Sequence, residues 1–138
     1  MFSDRCQRGV AMVETAVVML VFLMIVLGTI ELGRAVWYYT TLGYAAREGT
    51  RFATVNGSAS GTLPGPRLTS DVTPLVQARV VAAATGLDLT AANVSVAWAP
   101  DNKPGSAVTV TVSKNFVPAT PFIGAINMSR ASTLVIER

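Results

Sequence analysis

The titratable chemistry of this 138-residue chain is narrow: eleven basic and eight acidic side chains, three tyrosines, one cysteine (Cys6) and no histidine. Those counts exclude a Ser/His or Cys/His catalytic pair, a zinc site built on His and Cys clusters, and an intramolecular disulfide. Of the acidic residues, Asp71, Asp88 and Asp101 fall at a helix start and in loops, where cap and turn roles outweigh a carboxylate pair or a calcium site. Asn56-Gly-Ser, Asn93-Val-Ser and Asn127-Met-Ser match the glycosylation sequon, a pattern that carries weight only in a eukaryotic context. There is no phosphate-cradling glycine loop, and Trp98 reads as a core residue of a strand. The cations are dispersed, five beside four acidic groups in residues 1–54 and six beside four in residues 55–138, with no run of Lys or Arg. A surface that tracks phosphates needs several cations on one face, so nucleic acid is not an expected partner. The expectation is a protein that is not an enzyme, with no cofactor, no metal and no small-molecule substrate.

One acidic residue stands apart from these. Glu14 is the single charge between Val10 and Ile30, in a chain that is 51% hydrophobic and 14% charged with a mean hydropathy of +0.47. Twenty-one residues at the helical rise of 1.5 Å measure about 31 Å, enough to cross the apolar core of a bilayer. A lone segment in hydrocarbon satisfies its backbone only as a helix, whatever the β-branched content of Val10, Val13, Val17, Val18 and Val21. Glu14 has two readings. The span begins at Thr15 and the carboxylate is interfacial, or the carboxylate lies about one turn inside and pairs with a cation after assembly. The polar stretch MFSDRCQRG precedes the apolar one, the reverse of a secretory signal, and the polar residues before Cys6 do not suit a lipoprotein.

The helical pattern continues beyond the span. Leu32, Val36, Tyr39, Gly43, Ala46, Thr50 and Ala53 alternate at spacings of four and three, which predicts one face of a helix running to Thr54. Ala45, Gly49 and Ala53 recur every four residues and allow another helix to approach closely. Trp37, Tyr38 and Tyr39 stand where an interfacial aromatic belt would lie. The whole predicts a helix of about 45 residues and about 67 Å. Arg5 and Arg8 precede the span while Arg34, Arg47 and Arg51 follow it, so charge alone leaves the orientation open.

Residues 55–66, rich in Gly, Ser and Pro, predict a loop, and 69–86 a second helix with Val76, Val80, Ala83 and Leu87 on one face, Asp71 or Thr73 as a cap and Pro74 in the first turn. The period then changes to two. Val94, Val96 and Trp98, followed by Val108, Val110 and Val112, predict a hairpin around the loop at 100–105, and Met128–Ile136 a third strand reached through a loop with Pro118 and Pro121. The expected fold is α+β: a leader at 1–9, a transmembrane and protruding helix at 10–54, and a small outer domain at 55–138 whose sheet packs on the protruding helix.

Arg8-Gly9, with Glu14 five residues after the glycine and the apolar helix following, resembles a type IV prepilin. More specifically, residues 8–54 resemble the TadE/TadF group of minor pseudopilins from the tight-adherence, Flp-type pilus system. Glu31-Leu32-Gly33-Arg34, Ala45-Ala46-Arg47-Glu48-Gly49 and Arg51 carry that part of the resemblance. It implies cleavage by a prepilin peptidase between Gly9 and Val10, a mature chain of 129 residues, and a Glu14 carboxylate paired with the freed amino terminus of a neighbouring subunit. It also implies a bacterial inner membrane, a cytoplasmic leader and an outer C-terminal domain with the pilus or cell surface as a further destination. The implied partners are membrane lipid, the peptidase, other pilins or pseudopilins and the pilus assembly platform. The second reading is an uncleaved single-pass protein whose outer domain binds a partner.

Overall fold

The computed structural model describes residues 3–60, 68–120 and 123–137, with side chains from Gly9 onward. The part of the expected loop at 61–66, Pro121, and the side chains of Arg5, Cys6 and Arg8 lie outside the described residues. The fold is α+β. A first helix, α1, runs Ser3–Val55, and a second, α2, runs Thr69–Ala83. A single 3-10 turn at Ala91–Asn93 leads into strand β1 (Val94–Ala99), followed by β2 (Ala107–Phe116) and β3 (Ile126–Val135). The strands form one antiparallel sheet in the order β1-β2-β3.

Period-two patterning explains which face of the sheet is covered. Val108, Val110 and Val112 of β2 are fully buried beneath the helices. They stand in register with Trp98, Val96 and Val94 on β1 and with Leu134, Ser132 and Arg130 on β3. Each buried valine contributes about 1.5–3 kcal/mol relative to exposure. The opposite face carries Ser95, Ala97, Thr109, Thr111 and Thr133, and the Thr109 and Thr133 hydroxyls bond across the strands at 2.8 Å. Helix α2 supplies Val72, Val76 and Val80 to the core, and the Trp98 indole N–H donates to the Thr73 hydroxyl at 3.0 Å.

Boundaries and faces differ from the sequence expectation in α1, α2 and β3. The stripe on α1 is buried from Gly43 onward, but Leu32, Val36 and Tyr39 face outward; the buried side there is Glu31, Tyr38 and Leu42. The reason is what covers the helix at each level. Leu32 stands about five full turns before the buried Thr50, on the same side of α1, but near Glu31 the domain meets the helix through Ala119 and Phe116, on the Glu31 and Arg34 side. In α2 the carboxylate of Asp71 accepts the Leu68 N–H at 3.3 Å and starts the helix before Pro74, which sits in its second turn on the exposed side. Ala84 is buried beside Val80, and Ala83 is half-buried against the same core. Strand β3 begins at Ile126 and not Met128, since its pairing with β2 extends to Phe116.

The hairpin between β1 and β2 is closed by Asp101. Its carboxylate accepts the Ser106 hydroxyl at 2.6 Å and the Lys103 backbone N–H at 3.1 Å, and pairs with the Lys103 ammonium at 3.0 Å. These contacts, the Ser106 bond foremost, pull the carboxyl from its ordinary 3.8 down to about 2. A depressed carboxyl stabilises the fold above its unfolded value, and that contribution disappears as pH falls from about 4 through about 2. Following the Lys103 amide resonance in an acid titration will give a midpoint near 2; a midpoint near 3.8 would show that the loop does not hold the carboxylate.

Candidate functional site

From Gly9 to Ile30 every residue of α1 is exposed, and no part of the apolar window is covered by the chain itself. A core helix of a water-soluble domain would be buried along one face at least. Twenty-two exposed residues of this hydropathy need an apolar surrounding, and a bilayer supplies it. The two threonines of the segment fit that setting, because Thr15 donates to the Ala11 carbonyl at 2.8 Å and Thr29 to the Ile25 carbonyl at 2.9 Å. Neither hydroxyl is left without an acceptor. The segment is a candidate single-pass membrane anchor.

At its start, Gly9, Val10, Val13 and Glu14 lie along one side of the first turns and border an open apolar recess. A β-carbon built on Gly9 would meet nothing within 4 Å among the described residues, so the chain's own packing does not require glycine there. Glu14 is exposed and has no hydrogen-bond or ion-pair partner among the described residues. Val10, one helical turn before it, is 68% exposed.

Where the apolar segment ends, the outer domain is fastened to α1 by a polar and aromatic collar. Glu31 is buried, and both of its carboxylate oxygens accept from the Arg34 guanidinium at 3.0 Å. The same carboxylate accepts the backbone N–H of Ala119 at 2.9 Å, from the connection between β2 and β3. The Arg34 guanidinium lies 5.4 Å from the centre of the Phe116 ring, and Tyr38 meets that ring edge-on at 5.1 Å. Trp37 packs edge-on against Tyr38 and lies against Gly86, where a β-carbon would come 3.1 Å from the indole. Tyr39 is held by Arg130, whose guanidinium donates to the phenol oxygen at 2.7 Å and covers the ring at 4.5 Å. The three aromatic residues expected as an interfacial belt thus also join α1 to the domain. Glu31 had no assigned role in the sequence; its spacing of three from Arg34 signals the ion pair, but nothing local signals Ala119, 88 residues away.

Above the collar, Ala45, Gly49 and Ala53 are buried in the chain's own core. A β-carbon on Gly49 would clash with Val80 of α2, its nearest neighbour, and approach Val110 of β2 to 3.3 Å. Glu48 and Arg79 add an ion pair between the two helices. No group of three or more His, Cys, Asp or Glu residues able to hold a metal ion occurs among the described residues. Asp71 and Asp101 accept hydrogen bonds in a helix start and a hairpin, and Asp88 occupies a turn with φ of 45°.

No curated protein and no solved structure matches the chain. The family comparison does match, over the segment that begins at the exposed Gly9 and ends among the buried small residues of α1. Residues 9–51 fit the family model described as TadE-like protein, and over that segment the chain is similar to TadE-like proteins.

Proposed function

We propose that this chain is a minor pseudopilin of a tight-adherence, Flp-type pilus, matured by a prepilin peptidase that cleaves between Gly9 and Val10. The observation that carries the proposal is the TadE-like match over residues 9–51 coinciding with an apolar helix in which every residue from Gly9 to Ile30 is exposed. The glycine at the cleavage position supports it. Gly9 has no packing role among the described residues, and glycine lowers helix stability by about 1 kcal/mol relative to alanine, which eases the local unwinding a peptidase requires. Cleavage would leave Val10 as the amino terminus and Glu14 one helical turn from the new end.

In this reading the leader is cytoplasmic and the α+β domain lies outside the inner membrane. Each unpartnered Glu14 would then pair with the Val10 ammonium of a neighbouring pilin or pseudopilin. Within an apolar surrounding such a pair sets register, because a shifted arrangement leaves two charges without partners. The peptidase, other pilins and the assembly platform are the partners this role requires, and membrane lipid holds the subunit before assembly.

The test is a Glu14→Ala variant expressed in the native host. Removing one member of a buried ion pair costs about 3–5 kcal/mol, more than about a hundredfold in association. Assembled pili should therefore fall to background while the membrane-bound amount of the protein is unchanged or higher. Normal piliation by the variant would remove Glu14 from the assembly mechanism.

A further inference from the structure

We propose that the described part of the connection between β2 and β3, residues 117–120 and 123–125, is a second membrane-contacting element, which enters the headgroup and upper acyl region of the leaflet beside the outer domain. The proposal rests on α1 crossing the bilayer over residues 10–30. From Phe116 the chain does not turn straight back into β3. It descends along α1, so that the Ala119 N–H reaches Glu31 and Thr120 and Ile123 line a cleft with Met24, Leu27 and Gly28. Those helix residues lie about 5–10 Å below Glu31 along the axis, on the membrane side of the point where the apolar segment ends. Interfacial protein segments bury their apolar faces to about that depth.

The composition of the connection suits lipid. Between Lys114 and Arg130 the sequence has no charged residue. Val117 is 65% exposed, Ile123 44% and Ile126 48%; Val117 follows and Ile126 pairs with Phe116, which meets Arg34 and Tyr38, and Ile123 lies beside Leu27. In water this would be an unsheltered apolar patch; against a leaflet it is covered. A backbone that enters hydrocarbon must have its polar groups satisfied, and the Ala119 amide, which the sheet does not use, is satisfied by the Glu31 carboxylate. The Arg34 guanidinium, 41% exposed beside that carboxylate, stands at the level of lipid phosphates. Glu31 thus pins the connection to the helix at the membrane surface, and the bilayer is its occupant in preference to the helix of a neighbouring subunit.

Depth-resolved quenching tests this in the full chain, one copy per nanodisc. In a Cys6→Ser background, single cysteines at Ile123→Cys, Val21→Cys and Ala97→Cys carry an environment-sensitive fluorophore. The position 123 probe should be quenched by lipids spin-labelled at acyl carbon 5 and be at least about threefold less accessible to aqueous iodide than the probe at 97. The probe at 21 should respond to labels deeper in the chain. Iodide access at 123 equal to that at 97, with 21 still quenched by lipid, would overturn the proposal and leave the anchor standing. Shielding from iodide at 123 without lipid quenching would also overturn it, in favour of a protein contact. Iodide access at 21 would overturn the anchor itself and the proposal with it.

Discussion

A Gly49→Ala substitution destabilises the outer domain by about 1–2 kcal/mol, although alanine is the better helix former. Two effects oppose each other. Replacing glycine in a helix gains up to about 1 kcal/mol. Inserting a methyl group into a packed core costs about 1–3 kcal/mol, and here the new atom would overlap the Val80 side chain and crowd Val110. Valine is stiff about its first side-chain torsion, so Val80 cannot swing aside, and α1 and α2 must move apart. Leucine at position 49 should prevent folding of the domain altogether. The control is Gly33→Ala, where a β-carbon meets nothing within 4 Å; it should raise stability by up to about 1 kcal/mol. Urea denaturation in nanodiscs measures both, and equal shifts at the two glycines would contradict the packing argument.

A Glu31→Ala substitution costs more than Gly49→Ala. It removes an acceptor shared by the Arg34 guanidinium and the Ala119 amide, and the amide is left without its bond. Hydrogen bonds to charged groups are worth about 1.5–3 kcal/mol, so the loss should be about 2–3 kcal/mol. Glu31→Gln keeps an acceptor for Ala119 while losing the negative charge that pairs with Arg34, and should cost about 1 kcal/mol. Hydrogen exchange at the Ala119 amide separates a local latch from a general loss of stability. Its protection should vanish in the alanine variant and survive in the glutamine one. A protected amide in both would show that the connection is held by something other than this carboxylate.

The elements were legible in the sequence to the degree that their patterns are local. Val108, Val110 and Val112 alternate with threonine and serine, and that alternation alone marks a strand with one covered face. The apolar run from Val10 to Ile30 has the length and charge content of a membrane-spanning helix. Faces were harder to read where the covering elements change along the helix. Leu32 shares its side of α1 with the buried Thr50, about five turns on, yet only the upper position is covered by α2 and the sheet, which a repeat cannot signal. The recurrence of Ala45, Gly49 and Ala53 signalled close approach; that the approaching elements are α2 and the sheet of the same chain depends on topology. Least legible was the latch, because Glu31 and Ala119 are joined only after the sheet has formed and its second connection has turned back along α1. Glu14 and Gly9 are a different case. The described residues give neither a role within the chain, and the roles proposed for them rest on the resemblance of residues 8–54.

The central claim is that this neighbourhood is processed. The most direct measurement is the N-terminal residue and intact mass of the chain recovered from its native membranes, in hosts with and without the prepilin peptidase. The account predicts a chain beginning at Val10 that is lost when the peptidase is absent. A chain beginning at Met1 in both hosts would contradict it and leave a membrane-anchored outer domain.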